Sequence, residues 1–467
     1  MPVFSKPADI SDLLLKILTE VRVLLKHSPG TLSSICRVCR MWSGCDNIPM
    51  LWHVLYLTET TDISLLSVWI ERANNIGLYI YIAFHRAVDH IWIDPHAASK
   101  AKENPLSCAA IQSKLIAIMD VLRPSSSHWC SFKIFAPHYV GPLVKTYLAS
   151  TLPSAWLSAI SILLEDSSAT HDVSTVADAT SIFLQTPTIP TVELSCYPVA
   201  WGSFPLQTIT SLTLGPFCVT NRVDWNSFSR VLGDSPNLVS LAFLGAIPCP
   251  NTIESNKPHW HMEMRALTHL SLALLTQQEL MHISDCLSLP RVTSLALQLN
   301  EDEDFLPFLH NIPTSFPNLS KLAMDEFWLS APNLPASAEF FTTCNFTALT
   351  HLKLNFIPGY GVHRTFWHAL LRHAHDPHFL PQLTQVSLVD APISTVQDLM
   401  LLRQHARQAI TDVTLHFPYD FPMPRRKEWL IKNTAQLGLM YGRRAPWAQG
   451  SGVMQHGSDL MQVGIEG

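Results

Sequence analysis

The sequence predicts an α/β chain: a solenoid of stacked strand–helix units behind a small all-helical module. Three observations carry this expectation. A six-residue pattern, L-x-x-L-x-L with Ile, Val, Phe or Met allowed, recurs from the middle of the chain to near its end. Capped, amphipathic helical segments lie between the copies. The first fifty-seven residues instead carry apolar residues at helical spacing.

At the front, ISDLLLKILTEVRVLL places Ile10, Leu14, Ile17, Leu18 and Val21 on one helical stripe, with Asp9 or Ser11 as the N-cap. His27 to Gly30 forms a turn. TLSSICRVCRMWSGC then sets Leu32, Ile35, Val38, Cys39 and Trp42 on a second stripe, which Asn47, Ile48 and Pro49 end. MLWHVLYL follows as a third short apolar element. Cys36 and Cys39 lack a second Cys or His pair at zinc-site spacing, because Cys45 and His53 do not supply one. They are expected to be buried thiols, and Trp42 and Trp52 either core residues or partner anchors.

The repeat begins weakly at Trp129/Phe132/Ile134, Leu157/Ile160/Ile162 and Ile189/Val192/Leu194. It becomes regular at Ile209/Leu212/Leu214, Leu238/Leu241/Phe243, Leu267/Leu270/Leu272 and Val292/Leu295/Leu297. It continues through Leu319/Leu322/Met324, Leu349/Leu352/Leu354, Leu383/Val386/Leu388 and Ile410/Val413/Leu415. The regular copies start 29, 29, 25, 27, 30, 34 and 27 residues apart. Proline often precedes a copy and sets an extended approach to a strand, in which L-x-L alternates inward and outward. Between copies, residues 276–289 open with a capping box, Thr276 and Glu279, and align Leu280, Ile283 and Leu287. Ser394 and Gln397 predict the same device, and Trp225, Phe228 and Leu232 stand at helical spacing.

One strand and one helix every 25–34 residues resembles the leucine-rich repeat, whose units bury their apolar edges only by stacking. The resemblance implies a horseshoe. The family's asparagine after the last strand leucine is matched by Asn300 alone, so irregular curvature is expected. In such repeats the residues between the strand leucines face the concave side; here they include Thr213, Ala242, Ser271, Ala296, Ala323, Lys353, Ser387 and Thr414. His269, Lys321, His351 and Gln385 flank them, together with Ser240 and Asp412. The implied target-binding set is His269, Lys321, His351, Lys353 and Gln385.

The front module resembles an F-box in its helix, turn, V-C-x-x-W and L-W-x-x-L order, carried by Val38, Cys39, Trp42, Leu51, Trp52 and Leu55. Residues downstream resemble the linkers of the large fungal families of F-box proteins with degenerate leucine-rich repeats. The implied organisation is an F-box-like module at 9–57, a linker with first irregular repeats at 58–128, a solenoid at 129–420 and a C-terminal segment at 421–467. Sparse patterning predicts disorder from about 446. The implied function is the substrate receptor of a Skp–cullin–F-box ubiquitin ligase. Its adaptor-facing residues are Ile10, Leu14, Leu18, Val38, Cys39, Trp42, Leu51 and Trp52. Its partners are a Skp-type adaptor, through it a cullin, and a target protein. Where the family opens on Leu-Pro-x-Glu, Ile10, Ser11, Asp12 and Leu13 stand here, and this motivates an alternative: a binding scaffold without ligase coupling.

Composition bounds the other classes. Of 467 residues 47% are apolar and 15% charged, enough for a substantial core. A net charge of −6 gives no nucleic-acid footprint. Acidic residues 301–304 and the basic Arg425, Arg426, Lys427, Arg443 and Arg444 read as solvated loops. The opening residues lack a secretion signal, and no stretch reaches the ~18 apolar residues of a membrane span. Ten scattered cysteines then point to reduced thiols in cytoplasm or nucleus. No phosphate-binding glycine loop, nucleophile elbow or H-E-x-x-H is present. His363, His368, His373, His375 and His378 do not converge on a helix and read as a surface loop; a metalloenzyme built on them is the reading that would require bound metal. No cofactor and no catalytic residue is expected.

Overall fold

The structure, a computed structural model, describes residues 49, 52–84, 108–150, 155–164, 189–197, 206–215, 225–245, 247–248, 262–299, 305–327, 346–356, 363–389, 391, 393–417, 429–430 and 432–441. The chain divides into two compact units, Met1–Thr208 and Ile209–Gly467. The fold is α/β, with eight helices and a large parallel sheet among the described residues. None of those helices is long and apolar enough to cross a membrane.

In unit 1, Trp52 precedes β1 (Val54–Leu57), followed by α1 (Ile63–Ala73) and β2 (Leu78–Ala83). Next come α2 (Cys108–Leu122), β3 (Trp129–Ala136), α3 (Gly141–Ser150), β4 (Ala159–Leu164) and β5 (Thr191–Ser195). The five strands pair in chain order and in parallel. Asp62 caps α1 through Ser64 N–H at 2.9 Å, and left-handed Asn74 (φ 46°) ends it. Gly77 then lets the chain pass Cys130 closely: a Cβ there would stand 2.2 Å from Cys130 Sγ.

Two expectations are corrected here. Residues 54–57 form a strand rather than the last element of a helical module, because Leu55 and Leu57 alternate inward and pair with β2. Within 58–128, expected as a linker with first irregular repeats, the described residues are packed elements rather than linker: α1, β2 and α2, with Ile80, Ile82, Leu115, Ile118 and Leu122 in the core.

Unit 2 starts with β6 (Ser211–Leu214), α4 (Trp225–Gly233), β7 (Ser240–Leu244) and the short β8 (Met262–Glu263). It continues through β9 (His269–Leu275), α5 (Gln277–Cys286), the short β10 (Leu287–Ser288), β11 (Ser294–Leu299), α6 (Leu306–Ser315) and β12 (Lys321–Phe327). Then follow β13 (His351–Phe356), α7 (His363–His373), β14 (Gln385–Val389), α8 (Ile393–His405), β15 (Asp412–Phe417) and β16 (Gln436–Tyr441). Apart from the β8–β10 pair, the strands run parallel in chain order from β6 to β16, and β16 does not return to β6, so no barrel closes.

The register is set by the repeated leucines. Leu241, Leu270, Leu295, Leu322, Leu352 and Val386 face one another strand by strand, and all are buried. Burying each such side chain contributes roughly 1.5–3 kcal/mol, realised only between neighbours. The helices cover this face: Phe228 of α4 meets Phe243 of β7 edge-on at 5.6 Å. The capping box of α5 forms as expected, with Glu279 N–H donating to Thr276 Oγ1 at 3.2 Å and Thr276 N–H donating to Glu279 Oε2 at 3.0 Å. Ser394, by contrast, lies inside α8, which already starts at Ile393. Strand β16 extends the sheet beyond the solenoid boundary expected at 420. The tail from 446 lies outside the described residues.

A ladder of main-chain and hydroxyl bonds enters six strands of unit 2, β9 and β11 to β15. The Ser320 carbonyl accepts from Thr350 N–H at 2.9 Å, from His351 N–H at 3.0 Å and from the Thr350 hydroxyl at 3.0 Å. The same arrangement links Val239 to Thr268, Thr268 to Thr293, Thr293 to Ser320, Thr350 to Thr384 and Thr384 to Thr411, with hydroxyl distances of 3.1–3.5 Å. Ser158 repeats it onto the Cys130 carbonyl at 3.0 Å in unit 1. The bridging position is the one immediately after the first leucine of the hexad. Its signal in the sequence is the Thr or Ser of LTHL, VTSL, LSKL and LTQV.

Before β14 the chain is held by a buried cation. Arg403 of α8 is fully buried; it donates through Nη1 to the Phe379 carbonyl and through Nη2 to the Leu380 carbonyl, the latter at 2.7 Å. Leu380 sits at φ 46°, a strained left-handed conformation for a leucine, and Arg403 braces it. Burial pulls the guanidinium down to about 10, so it stays charged at neutral pH.

Two stability measurements test these devices. Thr350→Val keeps the shape and removes one ladder hydroxyl; denaturant unfolding is expected to give a loss of about 0.5–1.5 kcal/mol, with Thr350→Ser close to wild type. Arg403→Ala strands two buried carbonyls and is expected to cost about 2–5 kcal/mol, with Arg403→Lys intermediate because one ammonium cannot reproduce the fork.

Candidate interaction surface

The face of unit 2 opposite the helices is built by the residues that alternate with the buried leucines. Strand pairing brings His269, Ser294, Lys321, His351, Gln385 and Asp412 into one row, each opposite the next. Four of the five residues expected on a target-binding face, His269, Lys321, His351 and Gln385, thus share a row, and Lys353 stands in the adjacent one. That second row runs Ala242, Ser271, Ala296, Ala323, Lys353, Ser387 and Thr414. Small side chains make most of it a flat floor.

Charge on this face is arranged locally. Lys353 Nζ lies 2.8 and 3.1 Å from the two carboxylate oxygens of Asp325, and Asn355 Nδ2 donates to Asp325 Oδ1 at 3.4 Å. Asn355 is only 2% exposed, and its Oδ1 has no hydrogen-bond partner. The sequence reading missed Asp325 and Asn355, which stand one place beyond the second strand leucine; the alternation past that leucine was their signal. Lys321 is exposed and carries no ion pair among the described residues.

His351 sits in the middle of the row, with its Nδ1 hydrogen-bonded to Thr350 Oγ1 at 2.6 Å. Burial, with the Lys321 cation adding to it and Asp412 opposing, holds this imidazole below the usual histidine range.

In unit 1 the corresponding row runs Tyr56, Tyr81, Lys133, Ser161, Glu193. Tyr56 and Tyr81 stack at 5.0 Å between ring centroids. Glu193 is buried; its Oε2 accepts from Ser161 Oγ at 2.6 Å and from Lys133 at 3.2 Å. Sequence reasoning placed residues 58–128 in a linker with first irregular repeats and read Trp129/Phe132/Ile134 as a weak repeat copy, and did not pick out this row.

Of the residues expected to face an adaptor, Ile10, Leu14, Leu18, Val38, Cys39, Trp42 and Leu51 lie outside the described residues. Trp52 is 3% exposed, with the Arg72 guanidinium 4.8 Å above its ring. It is buried in unit 1. The histidines expected to form a surface loop fall partly on α7, which spans His363–His373, and partly on the turn after it. No group of three His, Cys, Asp or Glu gathers at metal-binding distance among the described residues. One cysteine–histidine contact occurs, Cys286 Sγ to the His282 ring nitrogens at 3.6 and 3.8 Å. Burial and Asp285 push the Cys286 thiol up to about 11, while burial lowers His282, so the pair is neutral rather than thiolate–imidazolium.

No protein-family model matches the chain, and no curated protein matches it.

His282 and His351 are both lowered in the folded state, so the unfolded chain binds more protons as pH falls through about 6.5. Their contribution is complete above that pH, is lost as pH falls through it and levels off below the folded values. Unfolding titrations at pH 7.5 and 5.0 are expected to show a smaller pH-dependent loss for His282→Gln/His351→Gln than for wild type.

Proposed function

We propose that this chain is the substrate-receptor subunit of a Skp–cullin–F-box type ubiquitin ligase, a non-catalytic part acting in cytoplasm or nucleus. Its repeats form a leucine-rich-repeat-like solenoid, and the open face of unit 2 holds a target protein. The observation that carries the target-holding half is the in-register row from His269 to Asp412 beside a floor of small side chains. A surface of this kind offers many side chains at fixed spacing on a rigid sheet, suited to recognition rather than to bond chemistry. The ligase half is supported by the F-box resemblance around Val38, Cys39 and Trp42. Its gain would be effective concentration: a tethered target meets the transfer machinery at far higher local concentration than a free one.

A second reading, a repeat scaffold without ligase coupling, is favoured by two specific observations. Ile10, Ser11, Asp12 and Leu13 replace the family's opening Leu-Pro-x-Glu. Trp52 and Leu55, two residues of the L-W-x-x-L match, are buried in unit 1.

Capture on an immobilised Skp-type adaptor separates the two readings. Under the ligase reading the full chain is retained, and Val38→Glu/Trp42→Ala loses retention at least about tenfold, equivalent to roughly 1.4 kcal/mol. A wild-type chain that passes through unretained removes ligase coupling and leaves the scaffold.

A further inference from the structure

The row on unit 2 is electrically polarised along its length. Lys321 near its middle has no ion pair among the described residues, and neither does Asp412 near its end. The neighbouring charges are already spent on each other, because Lys353 grips both oxygens of Asp325. Lys321 and Asp412 are separated by three strand steps, through His351 and Gln385, or about 14 Å at ~4.8 Å per step. That is too far for a direct pair and beyond one screening length at physiological salt. Neither charge answers the other; Lys321 is exposed and Asp412 half-buried, beside a floor of the small side chains Ala296, Ala323, Ser387 and Thr414.

An extended polypeptide advances ~3.3–3.6 Å per residue, so four residues span about 14 Å.

We propose that this row binds an extended segment of the target protein carrying an acidic residue over Lys321 and a basic residue four positions away over Asp412. The inference rests on the reading of this face as the target-holding surface and names the chemistry it selects. His351 and Gln385 contribute neutral polar contacts between the two charges, and the small floor lets the segment's backbone lie close to the sheet.

Fluorescence anisotropy with the full chain tests this, using a labelled ten-residue Gly/Ser peptide with one Glu and one Lys four residues apart. Saturable binding is expected, weakened at least about tenfold when the two charges are made adjacent. Lys321→Glu, a change at an exposed position, is expected to lose the peptide and to regain binding when the peptide's Glu is replaced by Lys. Asp412→Lys is expected to lose it too, and to regain a peptide carrying two Glu. Failure of both rescues, indifference to the spacing, no saturable binding by wild type, or equal binding of a single-stranded DNA oligonucleotide would overturn the inference. A target that stays bound through Lys321→Glu sinks this inference and spares the target-holding reading; loss of adaptor capture sinks ligase coupling alone.

Discussion

In unit 2, β7, β9 and β11 to β16 are each entered through one crowded carbonyl. The oxygen of the residue after the first leucine accepts two main-chain N–H groups from the next repeat and, in six places, the hydroxyl of the next Thr or Ser. These oxygens sit where the chain turns from an irregular approach into the sheet, where an unpaired polar group would be most costly. Because the bonding residue is adjacent to the first leucine, the ladder also fixes which residues point toward the helices. A slip by one place would turn the leucines outward and the polar row inward. Sheet register, core and open face are thus consequences of one recurrent contact.

Much of this was legible in the sequence because it has a period. The L-x-L part of all eight regular hexads lies on strands, and these leucines pair as the spacing requires, because alternation on a sheet buried on one face leaves a strong mark. The capping box at Thr276 and Glu279 was legible for the same reason: two residue types at a fixed offset with one local job. The open-face residues followed from the leucines by parity alone. What escaped was written in context. Residues 54–57 and 78–83 are strands whose aromatic and apolar mix also suits a helix at short length, and only pairing with a neighbour decides. Trp52 looked like an anchor because tryptophan serves cores and interfaces equally; the Arg72 guanidinium over its ring shows which applies. Arg403 gave no sign at all, since a buried arginine among helical residues is defined by the two carbonyls waiting for it, which lie more than twenty residues upstream.

The open face differs between the units. Unit 2 carries a long row with separated opposite charges and a low floor. Unit 1 carries a short row that closes on itself: stacked tyrosines at one end, and at the other a buried glutamate held by a lysine and a serine. Glu193 and Lys133 are already joined at 3.2 Å, whereas Lys321 stands exposed without an ion pair among the described residues, and the proposed target site lies on unit 2.

The uneven distance between repeats has a consequence of its own. Successive hexads begin anywhere from 25 to 34 residues apart, yet the strands stay in step. The difference in length falls between one hexad and the next. A lineage could lengthen, shorten or rewrite those intervening segments freely, or duplicate an entire unit, and the outward-facing script would keep its letter spacing. Such a molecule evolves its message one line at a time.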